Sequence, residues 1–199
     1  NHSRDGGYNR GSVIEEDKDF TLEHDRDVEF FVDAADIDET KQTANIQNVS
    51  RVFTQRHSAP ETDARFFERV SKAAIADGFY ETMTGFTAGN TYSRLVKMFQ
   101  RKELKKYRAM GGLIAYVSGE IMDYLESSTE ITKTLDIKTQ SINEKQGIET
   151  RIATINGVTI IEVVDDTRFN TSFNYSNGFV GNGSKINVCI AHPSMVKTV

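Results

Sequence analysis

Residues 41–77 read KQTANIQNVSRVFTQRHSAPETDARFFERVSKAAIAD and carry the longest helical repeat in the chain. Apolar side chains recur there at intervals of three, four and seven residues, a spacing that places them on one face of an α-helix. They are Ile46, Val49, Phe53, Pro60, Ala64, Phe67, Val70 and Ala74. Because the seven-residue spacing continues through Pro60, the sequence predicts one long helix with a kink or break near Ser58. The charged residues predicted to lie largely off this stripe are Arg51, Arg56, Asp63, Arg65, Glu68 and Lys72.

The same stretch also carries a signal for two helices. Ser58, Ala59, Pro60 and Glu61 match the S-x-x-E capping box, in which a serine side chain caps a helix that begins there. Proline is tolerated in the first turn of a helix, so Pro60 fits this position. Two collinear helices that meet at Ser58 are therefore the alternative to one kinked helix.

An acidic segment precedes the long helix. Residues 1–40 contain 13 acidic and 4 basic residues, a net charge of −9, whereas the rest of the chain has a net charge of +4. Within this segment, β-branched and aromatic side chains stand among the charges at 12–22 and 28–34, on either side of a polar turn at 23–27. This pattern predicts a β-hairpin. A two-stranded hairpin is marginally stable alone in water, so we expect it to rest on another surface.

A basic helix is predicted after the long helix, which ends at Gly78. Residues 79–89 are predicted to be a loop or a short extended segment. Thr91 is predicted to cap the next helix, which runs to about Arg108 and is broken by Gly111-Gly112. The outer side of this helix contains Arg94, Lys97, Arg101, Lys102, Lys105, Lys106 and Arg108. Such a cluster suits non-specific phosphate binding, but the acidic chain as a whole favours a helix side that faces solvent or a neighbouring subunit.

The clearest turn in the chain is Asn156-Gly157, which joins predicted strands at 151–155 and 158–164. Asn-Gly supplies the positive φ angles of a two-residue hairpin turn. The other predicted elements are a strand at 113–117, a helix capped by Ser118, a loop at 170–184, a strand at 186–191 and a helix start at 192–194. Since helices and strands are interspersed, the predicted fold class is α+β.

The amino-acid composition limits the classes of protein to which the chain can belong. The chain has 199 residues, 38% of them hydrophobic and 27% charged, which favours a folded globular protein over a disordered one. No apolar run approaches the roughly 20 residues that span a bilayer, so no transmembrane helix is expected. The first seven residues lack both an apolar core and a methionine, so we expect a processed product or a fragment without a secretory signal. Cys189 is the single cysteine, which excludes an internal disulfide and a multi-cysteine metal site.

No arrangement of residues predicts catalysis or metal binding. The histidines, His2, His24, His57 and His192, have no partner at metal-ligand spacing and are predicted to be surface or capping residues. Residues 33–39 are acidic but lack the glycine and the closing glutamate of a calcium loop. Residues 178–185 contain glycines, serine and lysine in the wrong order for a phosphate loop and are predicted to be a flexible loop.

Several short segments occur in a distinctive order. Asp36-Ile37-Asp38-Glu39-Thr40 precedes Pro60-Glu61-Thr62-Asp63-Ala64, and the chain closes on Ala191-His192-Pro193-Ser194-Met195-Val196. Between them lie the helix start at 90–95, the strand-to-helix junction at 117–122 and the hairpin turn. This order resembles the D-x-D-E-T, P-E-x-D-A and H-P-S-A-V segments of the major capsid proteins of tailed phages and prophages of Gram-positive bacteria. The resemblance covers residues 8–199 and rests on the order of the segments.

The resemblance implies the Hong Kong 97-type capsid fold. This α+β fold has an extended β-hairpin (the E-loop), a long spine helix in a peripheral (P) domain and a compact α/β axial (A) domain. It divides the chain into a remnant of an N-terminal arm at 1–11, the E-loop at 12–36, the P domain at 37–85 and mainly the A domain at 86–199. The chain departs from the family at both ends, where the long N-terminal arm and the C-terminal strands of the P domain are missing.

The resemblance implies a structural function. The chain is expected to be a major capsid subunit, not an enzyme, that self-assembles through pentamers and hexamers into an icosahedral phage head enclosing double-stranded DNA. It is expected to assemble in the bacterial host cytoplasm and to reside in the virion capsid. Its expected partners are other copies of itself, scaffolding, portal and head-completion proteins and non-specific packaged DNA, with no cofactor and no membrane. The candidate inter-subunit contacts are Glu15, Glu16, Asp17, Asp19, Phe20, Glu23, Asp25, Asp27, Arg101, Lys102, Lys105 and Lys106.

Two other functions stay open. An encapsulin-like nanocompartment shell shares the same fold but encloses enzyme cargo. A cytosolic hydrolase would use His57 or His192 with a distant acid.

Overall fold

The structure, a computed structural model, describes residues 27–31, 46–128, 138–143, 148–176 and 178–195. The chain divides into two compact units, residues 1–46 and 47–199. In the first unit, residues 27–31 form neither helix nor strand, so the second strand predicted at 28–34 is not seen there. A strand is defined by its hydrogen-bonded ladder to a partner, which composition alone cannot supply. The rest of the predicted hairpin lies outside the described residues.

The long helix is continuous and contains one widened turn. It consists of α1 (Ile46–Phe53), a π-helical turn (Thr54–Ser58) and α2 (Ala59–Ala76), together called the rod helix below. Pro60 has no N–H to donate to the carbonyl four residues earlier, and its ring crowds that carbonyl, so the preceding turn widens. Ala59 N–H accordingly donates to the Thr54 carbonyl. Ser58 is itself helical and makes no side-chain cap, so the capping box does not form and the single irregular helix is confirmed.

The apolar stripe of α2 packs on the rest of the second unit. Its buried residues are Pro60, Ala64, Phe67 and Glu68. The Phe67 ring meets the Phe169 ring edge-on at 4.7 Å and the Tyr116 ring at 5.4 Å. The prediction that Glu68 lies off the stripe is wrong, because other parts of the chain supply partners for its carboxylate.

The predicted basic helix is two helices, α3 (Thr91–Phe99) and α4 (Lys102–Met110). Phe99 and Leu104 are five residues apart, out of phase with a 3.6-residue period, so one straight helix would not bury both. The backbone bends at Arg101, which is extended with φ −55° and ψ 144°. Thr91 is not the cap as predicted: Asn90 occupies that position, and the Thr91 hydroxyl donates to the Thr87 carbonyl at 2.8 Å.

A mixed sheet forms the centre of the second unit. Its strands are β1 (Ile114–Ser118), β2 (Lys138–Asn143), β3 (Ile148–Ile155), β4 (Val158–Val163) and β7 (Val188–Ala191), in the order β2-β3-β4-β1-β7. β1 runs parallel to β4 and antiparallel to β7, while β2, β3 and β4 form an antiparallel meander. The predicted hairpin turn is confirmed, with Asn156 at φ 51° and Gly157 at φ 77°.

Helix α5 (Gly119–Glu126) follows β1 directly. Ser118 stands at its N-cap position as predicted, but its buried hydroxyl makes no cap hydrogen bond. The last described element is a 3-10 turn, Pro193–Met195, where a helix start was predicted.

Two apolar clusters lie against the sheet. Side chains of β1 alternate between the faces, so Ala115 and Val117 join one cluster while Tyr116 joins the other. The larger cluster takes Leu95 and Phe99 from α3 and residues of α5. The smaller one contains Phe67, Val163, Phe169, Ile186 and Cys189. The rod helix therefore packs on the smaller cluster and α3 and α5 on the larger.

The Asn-, Ser- and Gly-rich loop is held by hydrogen bonds rather than left open. It follows a 3-10 turn (Asp166–Arg168) and contains β5 (Phe173–Asn174), which pairs with β6 (Val180–Gly181). Thr171 N–H donates to the Ser184 carbonyl at 3.0 Å, and Ser184 N–H donates to Thr171 Oγ1 at 2.9 Å. A Cβ at Gly183 would lie 2.4 Å from Thr171 Oγ1, so only glycine fits this close approach.

Candidate subunit-contact surface

The contact candidates in the acidic N-terminal segment are mostly outside the described residues. Glu15, Glu16, Asp17, Asp19, Phe20, Glu23 and Asp25 all fall there. Asp27 lies in the described stretch 27–31 and is exposed. In the same stretch the Phe31 side chain is 88% exposed.

The basic contact candidates stand on and next to α4. Lys102, Lys105 and Lys106 are all exposed and occupy positions i, i+3 and i+4, which share one side of a helix. We call these three lysines the basic face. Leu104 and Tyr107 pack against the larger apolar cluster and anchor the opposite side of the helix.

Arg101 does not belong to the basic face. It precedes α4, at the bend after α3, and its guanidinium forms an ion pair with Glu81. The structure thus brings three of the four predicted cations together and assigns the fourth to an internal contact. Within the described ranges, none of the three lysines forms an ion pair.

Three exposed apolar side chains lie at the end of the rod helix. Ile75, Phe79 and Tyr80 are 45%, 59% and 60% exposed, and we call them the apolar patch. Phe79 N–H donates to the Ala74 carbonyl at 2.7 Å, which fixes the chain as it leaves the helix beyond Gly78. The sequence pattern predicts only a helix end and a loop at these residues. The pair of adjacent aromatic residues after the end of the helix is the sequence signal that indicates the patch.

A buried carboxylate, Glu68, ties the β5–β6 loop to the rod helix. Its oxygens accept from Lys72 Nζ at 2.9 Å, from the Tyr175 hydroxyl at 2.9 Å and from Phe173 N–H at 3.4 Å. The Arg65 guanidinium lies 3.8 Å from the centre of the Tyr175 ring. Burial alone raises the pKa of the Glu68 carboxyl, but the hydrogen bonds from Lys72, Tyr175 and Phe173 outweigh it and hold the pKa below its ordinary value. These contacts assign Glu68 a role in positioning the loop.

A second charged group joins β3, β4 and α5. Arg151 contacts Asp123 at 2.8 Å and Glu126 at 2.8 Å on α5, and its Nε donates to Glu162 at 2.9 Å. Hydrogen bonding to Glu162, opposed by burial, raises the pKa of Arg151 above its already high value. Arg151 therefore stays charged and holds the helix on the sheet.

The described histidines have local partners. His192 Nε2 lies 2.9 Å from the Gly111 carbonyl, and Nδ1 lies 2.6 Å from Ser194 Oγ and accepts from Ser194 N–H. The carbonyl contact requires the Nε2–H tautomer, which makes His192 a cap of the final turn. The His57 ring stacks on Phe53 at 5.4 Å. His2 and His24 lie outside the described residues.

The remaining candidates for chemistry are the Cys189 thiol and groups of metal-binding side chains. Burial raises the pKa of the Cys189 thiol to about 12, so it is not a thiolate at neutral pH. In the part of the chain that the structure describes, no three His, Cys, Asp or Glu side chains are grouped to hold a metal ion. Within the same ranges, no helix is both long and apolar enough to cross a membrane.

No protein-family model, curated protein or solved structure matches the chain.

Proposed function

We propose that this chain is a structural subunit of a closed protein shell, the major capsid protein of a tailed bacteriophage or prophage. The apolar patch is the observation that carries the proposal. Ile75, Phe79 and Tyr80 together leave on the order of 300 Å² of mostly apolar surface in water, comparable to the largest apolar patch of an ordinary monomer, which is often functional. Aromatic side chains are enriched in protein–protein interfaces, so this surface suits a neighbouring subunit.

The proposed kind of assembly, a closed shell, is supported by the order of the sequence segments, which resembles that of the phage capsid proteins. A closed shell needs heterologous contacts, in which one surface of a copy meets a different surface of the next, because these close into rings. The chain offers two unlike surfaces, the apolar patch and the basic face, besides its acidic N-terminal segment. Under this proposal the chain forms pentamers and hexamers with itself, works with scaffolding, portal and head-completion proteins, and encloses double-stranded DNA.

The proposal is tested by expressing the full-length protein with and without a scaffolding protein. We expect closed particles by negative-stain electron microscopy and a fast-sedimenting species by analytical ultracentrifugation. The double variant Phe79→Ser/Tyr80→Ser should stay folded, since both side chains are largely exposed, but should yield few particles. Met110→Ser removes another exposed apolar side chain, 67% exposed, outside the patch and should assemble like the wild type.

Absence of particles from wild-type protein under every condition tried would refute the shell function. Nucleic acid inside purified particles agrees with a phage head, whereas enzyme cargo would identify a nanocompartment instead.

A further inference from the structure

We infer that the β5–β6 loop is a latch on the rod helix, which an ionised Glu68 keeps closed and which opens alone, while the rest of the second unit stays folded, when that carboxylate is neutralised. The inference goes beyond the proposed function and does not depend on it, because it concerns a motion within a single copy.

The loop has little buried surface of its own. Among its described residues, 170–176 and 178–184, Phe173 is the only buried one. The strands β5 and β6 within it are each two residues long. Segments with few buried apolar contacts open locally at a lower free energy than the core around them. The loop therefore meets the physical condition for opening without the sheet.

The base of the loop is fixed to the core. Phe169 and Ile186 stand on either side of the loop, belong to the smaller apolar cluster and are both buried. Ile186 N–H donates to the Phe169 carbonyl at 3.0 Å, which holds the two ends together. Cys189 lies in the same cluster. The loop can therefore detach from the rod helix while this cluster stays packed.

Glu68 accepts both of the strong donors that the loop places against the helix. These are the Tyr175 hydroxyl at 2.9 Å and, at a longer distance of 3.4 Å, the N–H of the buried Phe173. A further hydrogen bond, from Ser71 Oγ to the Thr171 carbonyl, is long at 3.5 Å. Hydrogen bonds to an ionised group are about twice as strong as those between neutral groups. The charge on Glu68 therefore strengthens the attachment of the loop.

Neutralising Glu68 weakens this attachment from the side of the helix. A protonated carboxyl loses the ion pair with Lys72 and accepts weaker hydrogen bonds from the loop. The Tyr175 hydroxyl remains a donor throughout, because burial and the hydrogen bond to Glu68 raise its pKa. Acid therefore acts on the carboxylate and not on its partner in the loop.

Other charged and titratable groups surround this contact, on the rod helix, on the loop and on the 3-10 turn before it. They are Glu61, Asp63, Arg65, Lys72, Tyr175, Asp165 and Arg168. The sheet contributes Tyr116 and Cys189, and burial raises the pKa of both, so they are uncharged in acid.

Asp165 is a second acid-sensitive group near the base of the loop. Burial raises its pKa, but hydrogen bonds from Thr167 and Arg168 outweigh burial and hold the pKa below its ordinary value. An acid response of the loop must therefore be assigned to Glu68 by substitution.

The direction of the pKa shift sets the pH at which the latch opens. Opening returns Glu68 to water and to its ordinary pKa of 4.5, whereas the closed form has a lower pKa. The open form therefore binds a proton more readily than the closed form. The equilibrium constant for opening should be constant above about pH 5.5 and should rise as the pH falls below about 4.5.

Hydrogen exchange in the full chain, followed by NMR, tests the inference. The Phe173 amide reports on the loop because it donates to Glu68, and labelling of the Cys189 thiol at pH 7 reports on the cluster beneath. In the wild type, low urea concentrations should barely accelerate exchange of the Phe173 amide, because local opening exposes little surface. The same urea concentrations should accelerate Cys189 labelling steeply.

Glu68→Gln puts a neutral side chain of similar size in place of the carboxylate. At pH 7 it should speed exchange of the Phe173 amide at least about tenfold, and it should abolish the rise below about pH 4.5. Tyr175→Phe removes the hydroxyl donor of the loop and should also speed exchange at pH 7. This second variant keeps the inference testable if Glu68→Gln does not fold.

Glu126→Gln is the matched control. Glu126 is also a carboxylate paired with a cation, since it lies 2.8 Å from Arg151, but it stands on α5 and not beside the loop. This variant should leave the exchange rate of the Phe173 amide within about twofold of the wild type. Equal acceleration by Glu126→Gln and Glu68→Gln would indicate a general loosening of the unit and overturn the inference.

Two further results would overturn the inference. If the Phe173 amide and the Cys189 thiol respond equally to urea, the loop opens only when the whole unit unfolds. If exchange, corrected for its chemical rate, does not rise below about pH 4.5, or rises equally in Glu68→Gln, then Glu68 does not operate the latch. Either result leaves the shell function untouched, because particle formation is measured separately.

Discussion

Glu68 shows how one residue can join two parts of the molecule. On the rod helix it occupies a buried position among Ala64 and Phe67, where an ionised side chain is costly unless it is paired and hydrogen-bonded. Lys72 supplies the charge from one helical turn away, and the β5–β6 loop supplies the Tyr175 hydroxyl and the Phe173 N–H. The loop is thus held to the helix by a carboxylate that must be charged.

We predict that Glu68→Gln lowers the free energy of unfolding by about 1–3 kcal/mol at pH 7, because charge-assisted hydrogen bonds are lost. The folded-state pKa of Glu68 is lowered, so its contribution is fully present above the unfolded-state value near 4.5 and is lost as the pH falls through the folded-state value. The difference between wild type and variant should therefore be constant above about pH 5.5 and shrink below about pH 4.5. Urea unfolding at a series of pH values measures it.

Glu103→Gln provides the control, because Glu103 is exposed on α4. It should change the free energy of unfolding by less than about 0.5 kcal/mol. A difference between wild type and Glu68→Gln that grew on acidification would contradict the assigned role of the carboxylate.

At the scale of elements, the position of proline and the spacing of the apolar side chains determine where the helices bend. Pro60 does not end the rod helix but widens the turn before it, while the five-residue step from Phe99 to Leu104 divides the basic helix in two. The second break matters for the proposed contact surface, because it separates Arg101 from the three lysines of α4. That helix buries none of its residues fully, so its surface charges bear directly on its stability.

We predict that Lys102→Glu raises the free energy of unfolding by about 1 kcal/mol while weakening association between copies. The introduced carboxylate would form favourable i, i+4 and i, i+3 pairs with Lys106 and Lys105 and would complement the helix dipole in the first turn. A melting temperature and an association constant measured on the same preparation test both parts.

Lys106→Glu is the matched comparison. It places the acid after the lysine, the less favourable orientation, and should gain less stability. A lower stability of Lys102→Glu would mean that Lys102 already makes a favourable contact within its own copy, against a role in contacts between copies.

At the scale of the whole molecule, charge is separated along the chain. Residues 1–40 carry −9 and the remainder +4, although the sum is only −5. Uniformly charged molecules of this net charge would repel one another more strongly as salt is removed. Molecules with separated charges attract when opposite regions can meet.

We predict that copies attract at low salt, below the concentration at which particles form. Light scattering should give a negative second virial coefficient at about 0.01 M salt, where the screening length is roughly 30 Å, and a less negative one at about 1 M, where it is roughly 3 Å. The triple variant Lys102→Glu/Lys105→Glu/Lys106→Glu, which reverses the charge of the basic face, should lose the attraction. A positive coefficient that rises as salt is removed would indicate simple repulsion and contradict the predicted attraction between copies.

The sequence alone determined the features that depend on near neighbours in the chain. The helical repeat through Pro60, the Asn156-Gly157 turn, the α+β class and the clustering of lysines at 102–106 are all local patterns, because period and turn chemistry act over a few residues. The tertiary structure alone decided what depends on distant partners: the burial of Glu68 by Tyr175, the pairing of Arg101 with Glu81 and the exposure of Phe79 and Tyr80. Burial and ion pairing depend on which surfaces folding brings together, and a single sequence does not specify those surfaces by spacing.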